Sequence, residues 1–151
     1  MPDHGPIEIL LIEDDRTHVE LTLHALSKHH QANSIHVVRD GAEALDYLFG
    51  AGAHAARNVQ ASPKLILLEY HLPKVSGAEV LRRIKADART RSIPVVVLTA
   101  SEEKRDRVDS YQLGANSCIV KPVDSEQFTS VVEKLDLYWL RINQPPRTKP
   151  A

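Results

Sequence analysis

The chain has a single cysteine, Cys118, so no internal disulfide can form. That excludes a small disulfide-stapled scaffold and fits a reducing compartment. An excess of either charge is missing as well. The net charge is −1, which argues against the electrostatic footprint of a nucleic-acid binder. No apolar run approaches the ~20 residues needed to span a bilayer. The opening segment, Met1-Pro2-Asp3-His4-Gly5-Pro6, lacks the basic region and apolar stretch of a signal peptide. The expectation is a cytoplasmic protein that engages neither nucleic acid nor membrane.

What is present is enough for one domain. A chain of 151 residues buries roughly 68–70% of its unfolded surface, a core that needs no staples. The reading is a single domain over 1–151, with a core at about 7–135 and a C-terminal arm at about 136–151. Eight histidines invite a metal-site reading. They are scattered (His4, His18, His24, His29, His30, His36, His54, His71), and none pairs with the cysteine at zinc-ligand spacing. They read as solvated helix and loop residues.

Strand-like and helix-like runs alternate along the chain. Apolar or β-branched runs at 7–12, 34–38, 64–68, 93–98 and 117–120 read as strands; the third is so continuously apolar that burial on both faces follows, and the fourth holds Val95, Val96 and Val97 in a row. Helical spacing appears at 16–29 (Val19, Leu23, Leu26) and 41–49 (Ala44, Leu45, Leu48). A third helix carries Val80, Leu81 and Ile84 behind a Ser76/Glu79 capping box, and the last has Asp124 and Gln127 in the same relation. A fourth is expected to begin near Glu102, with Ser101 as its cap and acids in its first turn.

Five such pairs imply a parallel sheet covered on both sides, and right-handed crossovers leave few topologies. A flavodoxin-like (βα)5 order of 2-1-3-4-5 is expected. Two segments exceed that plan. Residues 50–62 read as a long surface loop. The last helix continues its stripe through Phe128, Val131, Val132, Leu135, Tyr138, Trp139 and Ile142, roughly 28 Å of helix.

In that order the switch point lies between strands one and three, and ligands bind beyond the strand ends there. Strand one runs into Glu13-Asp14-Asp15, strand three into Glu69, strand four into Thr99 and strand five into Lys121-Pro122. Clustered carboxylates call for a cation, and a hard divalent ion such as Mg²⁺ is the usual one. Such an ion neutralises charge on a phosphoryl group in transfer, while Thr99 and Lys121 could contact its oxygens. The bland alternatives are a helix cap for Asp15, a surface lysine for Lys121 and a turn residue for Thr99.

The ordered set Glu13-Asp14, Glu69, Pro73, Gly77, Thr99-Ala100, Gly114-Ala115 and Lys121-Pro122 resembles the receiver domain of bacterial response regulators, the CheY-like fold. The intervals match too: 30 residues from 69 to 99 and 22 from 99 to 121. The resemblance implies a two-component phosphorelay protein rather than an enzyme, receiving a phosphoryl group from a sensor histidine kinase. It implies metal binding by Glu13, Asp14, the acid at 69 and the backbone carbonyl of His71. Position 69 would be the phosphoacceptor, Thr99 the switch hydroxyl and Lys121 the phosphate contact, with a cis Lys121–Pro122 bond. The long arm and the 50–62 insertion look like the single-domain regulators paired with bacterial phytochrome kinases, which tend to form homodimers. Tyr138, Trp139 and Ile142 would then be interface anchors.

Two positions depart from the family. Receivers have aspartate where this chain has Glu69, and the extra methylene carries the carboxylate about 1.5 Å further. It could reach Lys121 directly. Glu69 is thus an engineered substitution, the mark of a natural pseudo-receiver, or a poor acceptor, and these three readings stay open. Cys118 stands where receivers usually place a switch aromatic. It reads as a small buried hydrophobe, with redox sensing as the sharper alternative. The competing function is a phosphorylation-independent dimerisation or interaction module. A Mg²⁺-dependent phosphatase would need a second catalytic acid, and none is placed for that.

Overall fold

The computed structural model describes residues 7–31, 34–50, 62–100 and 102–146. Five parallel strands form one sheet in the order β2-β1-β3-β4-β5: β1 (Ile9–Ile12), β2 (Ile35–Val38), β3 (Leu65–Leu68), β4 (Val95–Thr99) and β5 (Ser117–Val120). This is the flavodoxin-like order expected. In the central strands β1, β3 and β4 every residue is buried, as their unbroken apolar runs require.

Side chains alternate between the two faces, and each face has its own helices. Leu10, Ile12, Ile66, Leu68, Val95 and Val97 pack on α2 (Gly41–Phe49) and α3 (Gly77–Ala86). Ile9, Leu11, Leu65, Leu67, Val96 and Leu98 pack on α1 (Arg16–Leu26) and α5 (Ser125–Asp136). Local chemistry starts the helices where the sequence indicated. The side chains of Asp15, Asp40, Ser76 and Asp124 accept hydrogen bonds from the amides of His18, Glu43, Glu79 and Gln127. Each such cap contributes about 1 kcal/mol. Gly50 ends α2 at φ +66°, a left-handed conformation that glycine adopts without strain. Among the described residues no helix is long and apolar enough to cross a membrane.

Three expectations need correction. α1 stops at Leu26 rather than 29, because Ser27 turns back onto the carbonyl of His24 and the amides of His29 and His30 both donate to Leu26. α4 (Lys104–Gln112) starts two residues late, with Glu103 at its N-cap making no side-chain cap bond, and Ser101 lies outside the described residues. Its one first-turn acid, Asp106, is buried and bonded to His71 instead. Finally, the last helix is not α-helical throughout. Leu137–Ile142 is a π-helix, and the amide of Asn143 donates to the carbonyl of Tyr138. Residues 51–61 of the expected loop also lie outside the described residues.

Candidate functional site

The site is built where β1 and β3 end. The amide of Glu13 donates to Val38 and that of Glu69 to Ile12, so both acids sit one step past the ladder. β5 brings Lys121 alongside, its amide donating to the carbonyl of Thr99 at 2.7 Å. Glu13, Glu69 and Lys121 are all buried, at 4%, 8% and 6% exposure, and Thr99 is buried with them. A surface lysine and a turn threonine are therefore excluded, while Asp15 does serve as a helix cap.

The Lys121 ammonium organises the cluster. It donates to Glu13 Oε1 at 2.5 Å, to Glu69 Oε1 at 2.7 Å and to His18 Nδ1 at 3.0 Å. An ammonium has three N–H groups, so all of its donors are engaged. The other carboxylate oxygens are tied down as well. Asp15 N donates to Glu13 Oε2 and His71 N to Glu69 Oε2, each at 3.2 Å. Burial pushes the Glu13 carboxyl above its ordinary range. Lys121 pulls it down and the Glu69 charge pushes it up further. Asp14 stands exposed beside them.

The Lys121–Pro122 bond is trans. Lys121 is aimed by its backbone bond to Thr99 and by its two carboxylates, with no cis turn involved.

His18 was missed by the sequence reading, as were Asp106 and Tyr111. The signal for His18 was its place in the first turn of α1, where side chains lean toward the N-terminal end and here meet the strand ends. Its ring stacks on Phe128 of α5, centroids 5.4 Å apart. Because Nδ1 accepts from Lys121, the tautomer that fits carries its proton on Nε2. His71 is solvent-exposed, as expected, but its ring Nε2 also lies 2.8 Å from Asp106 Oδ2, joining the β3 exit to α4.

Cys118 is half-buried against the core on the α2/α3 face, and burial raises its thiol pKa. Reactive cysteines show the opposite shift, so the small-hydrophobe reading is favoured. An aromatic does come near. The backbone amide of Cys118 donates to the hydroxyl of Tyr111, an exposed residue of α4.

The arm departs from the expected anchor set. Tyr138 and Ile142 are exposed, at 48% and 56%, but Trp139 is half-buried and packs against the α1/α5 core. Leu137, 47% exposed, takes its place on the outer face. Helical spacing already carries Trp139, four residues past buried Leu135, onto the core face and Leu137 outward, and the wider turns of the π-helix then swing Ile142 off the stripe that an α-helix would continue.

Glu13, Asp14, Glu69 and the His71 carbonyl are hard oxygen donors, and two of the three carboxylates share one ammonium. By atom type and charge the set fits a divalent cation. Among the described residues, no three acidic, histidine or cysteine groups are gathered around a common point, because Glu13 and Glu69 are drawn onto Lys121.

Gly77 sets how closely α3 approaches this loop. A Cβ there would stand 2.5 Å from the carbonyl oxygens of both Glu69 and Tyr70. Gly77→Ala is expected to cost about 1–3 kcal/mol through overpacking, read as a lower urea midpoint at unchanged slope. An unchanged midpoint would mean the loop yields freely.

The Response regulator receiver domain model matches residues 9–133. That range contains the whole acid–lysine cluster. The chain belongs to the response regulator receiver family. It is similar to the probable methanogenesis regulatory protein FilR2 of Methanothrix harundinacea, 40% identical over 144 residues, 93% of this chain and 88% of that protein. Response regulator Rcp1 of Synechocystis is 33% identical over 135 residues, 89% of this chain and 90% of Rcp1. The Mn(2+)-bound structure of Rcp1 superposes with a TM-score of 0.85, at 32% identity and covering 94% and 100% of the two chains. The bacteriophytochrome response regulator RtBRR superposes at 0.72, with 47% identity and 94% and 85% coverage. The receiver fold and a role in two-component signalling follow from this membership.

Proposed function

We propose that the chain is a stand-alone cytoplasmic receiver, one domain with an arm, whose acceptor position is occupied by a glutamate that already holds Lys121. The observation carrying this reading is the 2.7 Å contact from Lys121 Nζ to Glu69 Oε1. That oxygen occupies the place on Lys121 that a phosphoryl oxygen would take on a shorter acceptor, so Glu69 imitates part of the phosphorylated state. Glu13, Asp14 and the His71 carbonyl would hold Mg²⁺, which supplies charge neutralisation to an incoming phosphoryl group. Thr99 is the switch hydroxyl. The kinase partner is a sensor histidine kinase of the phytochrome class, in keeping with the likeness to RtBRR. The output is a change in protein contacts.

The test is incubation with Mg²⁺ and acetyl phosphate, for this chain and for Glu69→Asp. An acyl phosphate on the aspartate variant alone supports the reading. No adduct on either favours the phosphorylation-independent interaction module.

The exposed apolar set Leu137, Tyr138 and Ile142 supports a homodimer contact through the arm. Leu135 and Asp136 are buried, so the informative truncation ends after Asp136. That truncation is expected to convert a dimer to a monomer in sedimentation. A truncated chain that stays dimeric would remove the arm from the interface.

A further inference from the structure

Among the described residues, a partly buried ionic chain lies apart from the acid–lysine site, its outer acid Glu8 also meeting Lys64 at 3.6 Å. His30 lies in the turn after α1, with its ring buried. Its Nδ1 is 2.7 Å from Glu8 Oε2, just before β1, and its Nε2 is 2.6 Å from Asp136 Oδ1, at the end of α5. A neutral imidazole has one N–H. Two contacts this short to two carboxylates need one more proton, on the ring or on an acid. The ring nitrogens point to opposite sides, so the three residues surround no common point for a metal ion.

Asp136 is the unusual member. It is 1% exposed, and its Oδ2 is buried without a hydrogen-bond partner. A buried carboxylate with half its acceptors empty is costly and persists only where its other contact is strong. It also stands at the last α-helical residue, where the backbone passes into the π-helix. Lys28 and Glu133 add a second, exposed link between the same two segments at 2.8 Å, which is worth little by itself.

We propose that Glu8–His30–Asp136 is a charge clasp that fixes the register of the π-helical arm and so decides which side chains the arm presents to a second copy of the chain. The clasp ties Asp136 to the foot of the sheet. The helix then reaches its exit in one rotational setting, with Trp139 turned inward and Leu137, Tyr138 and Ile142 outward. With the clasp open, the buried carboxylate has no partner at all and the junction must move to reach water. The presentation half of the proposal rests on the dimer reading above. The clasp half does not.

Amide hydrogen exchange over 137–143 tests the clasp in the full chain, using His30→Gln, Asp136→Asn and the double variant. His30→Gln is expected to lower protection of these amides by about 10-fold or more while those of β1 and β3 keep theirs. Because the loss comes from stranding a charge, adding Asp136→Asn should restore most of it. Losses that add in the double variant, or unchanged protection in His30→Gln, overturn the clasp. Sedimentation reads the second half. A parent dimer that weakens in His30→Gln in step with arm protection supports it, and a dimer that persists after protection is lost overturns it. A monomeric parent would defeat the dimer reading and the presentation half together, leaving the exchange result to judge the clasp.

Discussion

Glu69→Asp is expected to accept a phosphoryl group from acetyl phosphate at least about 100-fold faster than the parent chain. The parent glutamate is fully engaged: one oxygen on Lys121 at 2.7 Å, the other on the amide of His71 at 3.2 Å. An acceptor carboxylate must present a free oxygen to the incoming phosphorus, and Lys121 must have an N–H to give to a phosphoryl oxygen. Neither condition holds here, since the three donors of Lys121 are spent on Glu13, Glu69 and His18. Removing one methylene withdraws the carboxylate by about 1.5 Å, which breaks the contact with Lys121 and returns one donor to the site. Intact-mass measurement of the acyl phosphate over time gives the rate. Equal rates for the two chains would show that acceptor length is not what limits transfer.

Glu69→Gln separates charge from reach. It keeps the length but turns an ionic hydrogen bond into a neutral one, so the imitation of the phosphorylated state should weaken without an acceptor being created. Any partner whose binding depends on Glu69 should then lose affinity for Glu69→Gln and for unphosphorylated Glu69→Asp alike.

The strand ends were legible in the sequence because each strand is a short apolar run that stops on a polar residue, and a parallel sheet gathers those stops on one edge. The caps were legible because Asp15, Ser76 and Asp124 act on amides three residues away. What escaped was contact between distant segments. His18 meets Lys121 across 103 positions and His30 meets Asp136 across 106, so beyond the first-turn place of His18 nothing local sets them apart from the solvated histidines around them. The arm's outer face was misread for a related reason. The stripe from Phe128 onward has helical spacing throughout, and the passage from α to π leaves no mark on that spacing. The π-helix begins directly after Asp136, where a tertiary contact holds the chain. Trp139, four residues past buried Leu135, keeps to that stripe and fills the core edge, although its place beyond the compact domain reads as an anchor.

Lys121→Met is expected to be the most damaging single change to stability. The lysine side chain is 2% exposed between carboxylates that are 5% and 9% exposed. Methionine matches its volume, so packing survives and the loss is electrostatic. Removing one member of a buried ion pair typically costs about 3–5 kcal/mol, because the remaining charge is stranded. For a chain of this size that corresponds to a melting temperature lower by roughly 10 °C. The deficit should depend on pH with a defined sign. Burial already raises the Glu13 carboxyl above its ordinary 4.5, and Glu69 raises it further; Lys121 is what opposes them. Without Lys121 the folded state holds a proton on Glu13 at pH values where the unfolded chain has released it. Stability then falls as pH rises above 4.5 through the folded-state value, and the penalty fades below 4.5, where both states are protonated. Urea unfolding of Lys121→Met at neutral and acidic pH should show the gap to the parent narrowing on acidification. Adding Glu13→Gln should recover part of the loss at neutral pH. A Lys121→Met chain as stable as the parent at pH 7 would mean that water reaches the two carboxylates and that the cluster is not a buried charge site at all.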